Sequence, residues 1–297
     1  MRVNPNFSPN ILNDVWQTQS AEQTAMEQLA TGRRVNLPSD DPVAFSADIQ
    51  NQADQSQIDQ YKQNTSSLEG LFQVADSTMS SVVTSLNQAI SIGTQGASGT
   101  MSLSDQQALA QQVQAILSQM VQLGNTSYQG SYIFAGTETT TPPFALDPTQ
   151  PSGVTYNGNT GINNVQIADG RSMQMNVPGS QIFLGGSGNV MQSLQQLATA
   201  LNSGDTSAIG TATTAVGTAL TYVSQQREFY GSAAQELNSN TSFLQQEQVN
   251  LQSQETSLVG ADMAKAATDL SQAATAHDAA LAALAKVIPT SLLDYLR

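Results

Sequence analysis

The chain contains no cysteine and a single histidine. The first absence removes disulfides, thiolate nucleophiles and cysteine-ligated zinc from consideration. Charge is scarce as well: 11% of residues are charged, against about 25% in ordinary soluble domains. The polar surface must therefore be built from Gln, Ser, Thr and Asn. Aromatics make up 5%, too few to fill a large aromatic core. Positive charge is the scarcest. Nine Lys and Arg face 23 Asp and Glu across 297 residues, for a net charge of −14. The lysines (Lys62, Lys265, Lys286) lie far apart, and Arg33–Arg34 is the only adjacent basic pair. Neutralising phosphates requires clustered cations, so nucleic acid is excluded as a partner. The same acidity disfavours anionic membrane surfaces.

Long apolar runs are missing too. The longest, Ala279–Ala285, is far short of the roughly 20 residues of a membrane span. The N-terminal stretch MRVNPNFSPNILNDVW has no apolar core of the kind that signal peptides carry. The expectation is export, if any, by a route that does not read a cleaved signal.

Proline is absent from residues 43–141 and 179–288. Because proline breaks helix interiors, these two tracts are where long helices can run. In the second tract every seventh residue from 216 to 258 is large and non-polar: Val216, Val223, Tyr230, Leu237, Leu244, Leu251 and Leu258. The positions between are mixed: Leu220, Arg227, Ala234, Thr241, Gln248 and Glu255. A strict seven-residue repeat keeps one seam turned toward a partner, as in coiled coils. One anchor per two turns cannot hold such a helix alone in water.

The first tract supplies a partner. Ile58, Tyr61, Thr65, Leu68, Phe72, Ala75, Met79, Val82, Leu86 and Ala89 alternate spacings of three and four. Ser8-Pro9 reads as the start of an earlier helix, ended by Gly32, and Asp41-Pro42 as the start of the helix bearing this ladder. Ser104 and Gln107 have capping-box spacing and open a third helix, with Leu109, Val113, Ile116, Met120 and Leu123. From Tyr132-Ile-Phe-Ala-Gly-Thr137 the pattern changes. Asp169-Gly170 between alternating Val165/Ile167 and Met173/Met175/Val177 predicts a hairpin within a small β-rich insertion over 137–189. A short helix over 190–204 returns to the bundle, and Asp205 caps the next one. Gly260 interrupts the long repeat. A seam then restarts one residue out of phase with Met263, Ala267, Leu270, Ala274, His277, Leu281, Leu284 and Ile288, until Pro289 stops it.

The fold class is therefore mainly α. Long antiparallel helices from both ends of the chain form a coiled-coil bundle with a small β-rich outer domain. The segments are 1–42 (end helix and connector), 43–136 and 205–259 (the two halves of the bundle), 137–189, 190–204, and 260–297 (the second end helix). The end helices are expected to pair with each other and with neighbouring subunits.

The residues offer little chemistry. His277 lies on the terminal seam, where a structural role is preferred to a relay or a metal site. Asp40-Asp41 reads as turn and cap rather than acid–base pair, because Pro42 follows directly. One of Arg33 and Arg34 is expected to pair with a carboxylate such as Asp40. Arg227 is expected in an inter-helix ion pair. Gly185-Gly186-Ser187-Gly188 lacks the lysine and the strand–helix frame of a phosphate loop. No enzyme, cofactor, metal or small-molecule ligand is implied.

Two distant stretches together carry a resemblance. Leu29-Ala-Thr-Gly-Arg-Arg-Val-Asn36 followed by Ser39-Asp-Asp-Pro42 resembles the N-terminal signature of the flagellin superfamily. The segment from Leu86-Asn-Gln-Ala-Ile-Ser-Ile-Gly93 through Ser127-Tyr-Gln-Gly130 resembles its second and third helices with their intervening turn. Gly260-Ala-Asp-Met-Ala-Lys265 and Ser291-Leu-Leu293 resemble its C-terminal helix and tail. Within the superfamily, the prolines of Asn36-Leu-Pro-Ser-Asp-Asp-Pro42, the Tyr132–Thr137 motif followed by Pro142-Pro143-Phe144, and the tail ending Asp294-Tyr-Leu-Arg297 are similar to the hook–filament junction branch rather than to filament flagellins.

The resemblance implies a structural protein of the bacterial flagellum, exported unfolded through the flagellar type III system to the extracellular hook–filament junction. It implies a homo-oligomeric ring of about eleven subunits, with the other hook-associated junction protein and flagellin as neighbours. A flagellar export chaperone would cover Met263, Leu270, Leu281 and Leu284 of the C-terminal helix, which afterwards line the inner tube. Arg33, Asn36, Asp40 and Asp41 are the expected subunit contacts at the connector. The intramolecular seam would comprise Leu68, Phe72, Met79 and Leu86 with Val223, Tyr230, Leu237, Leu244, Leu251 and Leu258. A filament-forming flagellin is the alternative, and a secreted coiled-coil adhesin a more distant one.

Overall fold

The computed structural model describes residues 7–186 and 188–293. The helices are α1 (Phe7–Thr31), α2 (Pro42–Gly96), α3 (Leu103–Gly124), α4 (Gly179–Leu184), α5 (Val190–Ser203), α6 (Thr206–Val259) and α7 (Met263–Leu293). Three antiparallel hairpins lie between α3 and α4: β1–β2 (Ser127–Tyr128, Ser131–Tyr132), β3–β4 (Phe144–Leu146, Val154–Tyr156) and β5–β6 (Asn164–Ala168, Arg171–Gln174). The chain divides into two compact units. One comprises residues 1–58 and 246–297, the other 59–245.

The two periodic ladders run through most of the larger unit, and their ends, Ile58, Leu251 and Leu258, belong to the smaller one. All ten ladder residues of α2, from Ile58 to Ala89, are buried. So are Val216, Val223, Tyr230, Leu237, Leu244 and Leu251 of α6. Leu258 is only partly buried, and Val259 takes the covered place beside it. A straight helix drifts by about 20° per heptad against a seven-residue repeat, so six heptads move the seam past one residue. Phe72, Phe229 and Tyr230 meet edge to face, with ring centroids 5.2–6.0 Å apart. The expected helix at 109–123 joins this core, but its close neighbour is α5 rather than α6. Ala110 and Ala198 are buried there, and the absent side chain of Gly96 leaves room for Leu201.

The seam positions read as mixed carry polar links between helices. Arg227 makes a two-pronged ion pair with Asp76 on α2, at 2.6 and 3.0 Å. That pairing holds the Asp76 carboxyl below its ordinary range, against the opposing effect of burial. The Thr241 hydroxyl lies 3.5 Å from Glu69. Asn240 is buried and donates to Thr65 Oγ1 and to the Ile167 carbonyl, while Asn64 donates to the Gln166 carbonyl. Amides from both long helices thus hold the β5 strand.

The predicted hairpin at Asp169-Gly170 is present, with Gly170 at φ +63° and a bulge at Gln166/Ala168. The β structure starts earlier than 137, with β1–β2, and the short helix α4 follows it. Its core is aromatic. Phe183 packs edge to face on Phe134 and Phe144, Tyr156 packs on Phe144, and the Tyr156 hydroxyl donates to the Phe134 carbonyl. The Tyr132–Thr137 and Pro142–Phe144 motifs therefore supply the centre of the insertion.

Three boundary readings are corrected. The N-cap of α3 is Ser102, whose Oγ accepts from the Asp105 N–H, so the cap lies two residues before Ser104. Ser102 Oγ in turn donates to the Asp105 carboxylate at 2.7 Å. The first helix begins at Phe7 rather than after Ser8. The last continues through Pro289 to Leu293. Proline has no backbone N–H, so that turn of the helix lacks one donor. The tail residues 294–297 lie outside the described residues.

Candidate assembly surface

The smaller unit brings the two ends of the chain together. Helix α1 ends at Thr31 because Gly32 turns the chain with φ +69°, a conformation costly for other residues. Helix α6 ends at Val259. The two breaks lie side by side: the Arg34 N–H donates to the Val259 carbonyl at 2.6 Å, and the Ala261 N–H to the Gly32 carbonyl at 2.9 Å. Arg33 and Gly260 thereby form an isolated antiparallel bridge. Val35, Ala44 and Val259 close a small apolar cluster beside it.

Charged groups fasten the same joint. The Arg33 guanidinium donates to Asp48 of α2 and, at 3.2 Å, to Glu255 of α6. Asp48 is buried, and Gln52 donates to the same carboxylate oxygen. Gln55 reaches the other Glu255 oxygen at 3.0 Å, so the last mixed position of the α6 repeat is also a polar link. Arg34 pairs with Asp41 at 3.4 Å and donates to the Leu258 carbonyl. Both arginines thus pair with carboxylates, but Asp40, the example expected, is not among them. The Asp40 carboxylate is occupied by the Leu37 and Asn36 N–H groups, which hold its pKa below the ordinary range. Asp41 accepts from the Ala44 N–H at 3.0 Å and caps α2; that bond and Arg34 depress its pKa. Asn36 donates from its amide to the Arg33 carbonyl. Within the single chain, then, Arg33, Asn36, Asp40 and Asp41 all shape the connector.

Helices α1 and α7 lie along one another from this joint. Among the described residues Ala25 and Ala266 are buried on these helices, and Ala266 takes the inward place that periodicity gives to Ala267. His277 Nδ1 lies 3.1 Å from Glu22 on α1, a structural position. Leu270 and Leu284 are partly covered. Leu12, Trp16, Met26, Met263 and Leu281 are exposed, Trp16 most of all at 71%. All five lie on the two paired end helices, and large exposed apolar side chains that gather on one surface mark places that meet another chain.

Among the described residues, no group of His, Cys, Asp or Glu could hold a metal ion, and no helix is long and apolar enough to cross a membrane. The contribution of Asp48 and Glu255 was not visible in the sequence. Each is a lone acid at polar helical spacing, and their common partner is more than 200 residues from one of them.

Comparison with known proteins covers both ends of the chain. The bacterial flagellin N-terminal helical region matches residues 4–139, and the bacterial flagellin C-terminal helical region matches residues 213–296. Flagellar hook-associated protein 3 of Salmonella typhimurium is 34% identical over 158 residues, 53% of this chain and 48% of that protein. The Escherichia coli protein of the same name is 33% identical over the same shares. The match thus spans about half the length of these relatives. Among solved structures, a putative flagellar hook-associated protein from Vibrio parahaemolyticus superposes with TM-score 0.67 at 19% identity, over 74% of this chain and all of that one. FlgL of Bacillus cereus superposes with TM-score 0.60 at 23% identity, over 70% and 99%. At these identities the likeness is one of fold.

Proposed function

We propose that this chain, which belongs to the flagellin family, is a structural subunit of the bacterial flagellum and forms the junction ring between hook and filament. One observation carries the reading. The two matched ends meet in one compact unit and leave Trp16, Met26, Met263 and Leu281 uncovered. A free subunit gains nothing from that surface, whereas a lattice of subunits buries it. The names of the relatives, hook-associated protein 3, favour a junction role over a filament role.

In this reading residues 1–42 and 260–297 form an inner helical tube and the 43–136 and 205–259 segments the surrounding bundle, with 137–189 facing outward. About eleven subunits close the ring, seated between the other hook-associated junction protein and the first flagellin layer. Arg33, Asn36, Asp40 and Asp41 set the shape of the connector that neighbouring subunits touch. Before export through the flagellar type III system, a chaperone covers Met263, Leu270, Leu281 and Leu284. The work is mechanical and the chain is not an enzyme: large seams join two helical lattices, and no reacting group is needed.

A deletion strain tests this. Complete hooks with flagellin lost to the medium are the expected outcome. Normal filaments would overturn the reading, and purified protein that extends flagellar seeds into long filaments would make it a filament flagellin instead.

A further inference from the structure

The insertion and α2 enclose a half-open cleft of about 270 Å³, just below the roughly 300 Å³ at which pockets for drug-sized ligands start and so suited to a smaller molecule. Its floor is apolar: Leu68, Leu71, Ile133, Val165 and Met175. Its rim carries Tyr128, Tyr132, Gln129, Ser67, Ser131 and Asn163. Among the described residues, none of these six side chains has a hydrogen-bond partner. The wall behind them is fixed. Buried Asn176 accepts from the Asn163 N–H and donates to the carbonyls of Gly136 and Gly161. Tyr128 is seated where Gly70 has no side chain, since a methyl group there would overlap its hydroxyl.

The turn at the rim is unusual. Gln129 and Gly130 form a two-residue hairpin turn with φ +50° and +82°. Asn or Gly is the ordinary choice at the first of these positions. Gln129 is the sole non-glycine residue with positive φ among the described residues, and backbone strain of this kind gathers at ligand contacts. Here it holds a longer amide at the mouth.

The lining contains no cation, carboxylate or imidazole. Anions and metal ions therefore have no partner in it, and a wholly apolar ligand would leave the polar rim unused. What fits is a small neutral molecule with an apolar face and a ring of hydroxyls. We infer that this cleft binds a neutral saccharide, stacking one sugar face on Tyr128 or Tyr132 and hydrogen-bonding its hydroxyls to Gln129, Asn163 and the rim serines.

The test is a titration of the full chain, followed by NMR, with methyl galactoside, methyl glucoside and N-acetylglucosamine. Glucuronate and an apolar amide serve as controls. At least one neutral sugar is expected to shift the Tyr128 and Tyr132 resonances with a Kd of about 1–10 mM. Ser67→Trp fills the mouth from an exposed helix position. It should weaken binding at least about tenfold while leaving the unfolding midpoint unchanged. Tyr132→Phe, which keeps the ring, should retain most of the affinity, whereas Tyr132→Ala should not. Equal binding of the free glycoside and the same sugar ending a glycan makes the ligand a chain terminus; binding of the free form alone makes it a soluble sugar. No response to any neutral sugar at about 50 mM overturns the proposal. So does a response that Ser67→Trp leaves intact, or one matched by glucuronate or the apolar amide.

Discussion

Arg33 and Gly260 form an antiparallel bridge that ties the break after the first helix to the break before the last. The Arg33 guanidinium also spans Asp48 and Glu255. One residue thus connects the connector, α2 and α6 by backbone and side chain together.

Arg33→Met tests how much this joint depends on charge. Asp48 is buried and would lose its cationic partner, and stranding a buried charge typically costs about 3–5 kcal/mol. Arg33 itself is about one-third exposed, so water can enter, and a loss of about 2–3 kcal/mol is expected. Urea unfolding of the full chain measures it. Pairing Arg33→Met with Asp48→Leu should recover part of the loss, because no buried charge then remains. A loss below about 0.5 kcal/mol in the single variant would mean that water already serves Asp48.

Gly260→Ala probes the backbone side of the joint. A methyl at this position would overlap the Thr256 carbonyl in the last turn of α6. That turn must open, pulling Val259 away from the Arg34 N–H. Stability should fall by about 1–3 kcal/mol. Hydrogen exchange should quicken at Arg34 and Ala261, which donate across the break, and not at the amides around Leu86. Unchanged exchange at Arg34 would show that the bridge tolerates the altered turn.

The long helices were legible because their signal is repetitive: each ladder residue of α2 predicted buried is buried, and the α6 repeat holds from Val216 to Leu251. Caps were legible where proline followed, as at Asp41-Pro42, and misplaced where Ser102 and Ser104 compete within one polar run. The joint was half legible. Gly32 and Gly260 marked two breaks, but nothing local says that residues so distant in sequence pair. Ion-pair partners such as Arg33–Glu255 depend on that tertiary placement. Periodicity puts Met263 and Leu281 on a seam, and in the single chain they are exposed while Ala266 is covered, because periodicity identifies an apolar face but not which chain covers it.

The Asp76–Arg227 pair gives the larger unit an acid-sensitive link. Its hydrogen bonds with Arg227 lower the Asp76 pKa in the folded chain from the ordinary 3.8. A carboxyl depressed by folding adds stability above its unfolded value and loses it as pH falls through the folded one. Arg227→Gln should therefore be less stable than the parent at neutral pH, by about 0.5–1 kcal/mol for a pair this exposed. The gap should close as the pH falls below 3.8. Unfolding midpoints of both proteins across that range measure it. A gap that persists in strong acid would assign the loss to the packing of the arginine stem.

Tyr230 is the aromatic anchor of the α6 repeat and is buried, and its ring and its hydroxyl make opposite contributions. The ring packs edge to face on Phe72 and Phe229, at 5.8 and 5.2 Å. The hydroxyl is buried without a hydrogen-bond partner among the described residues; the Val177 backbone acts on it without bonding geometry. Burial drives its pKa upward, so it stays neutral. An unpaired buried hydroxyl has left water without compensation, at a cost of about 1–3 kcal/mol. Tyr230→Phe keeps the ring and removes that cost. It should leave stability unchanged or raise it by up to about 1 kcal/mol. Tyr230→Ala removes the ring as well and should cost about 3–5 kcal/mol. Thermal unfolding of the pair separates the two contributions. A clear loss in Tyr230→Phe would mean that a water or the Val177 carbonyl satisfies the hydroxyl in solution, making the α6 seam polar at its centre.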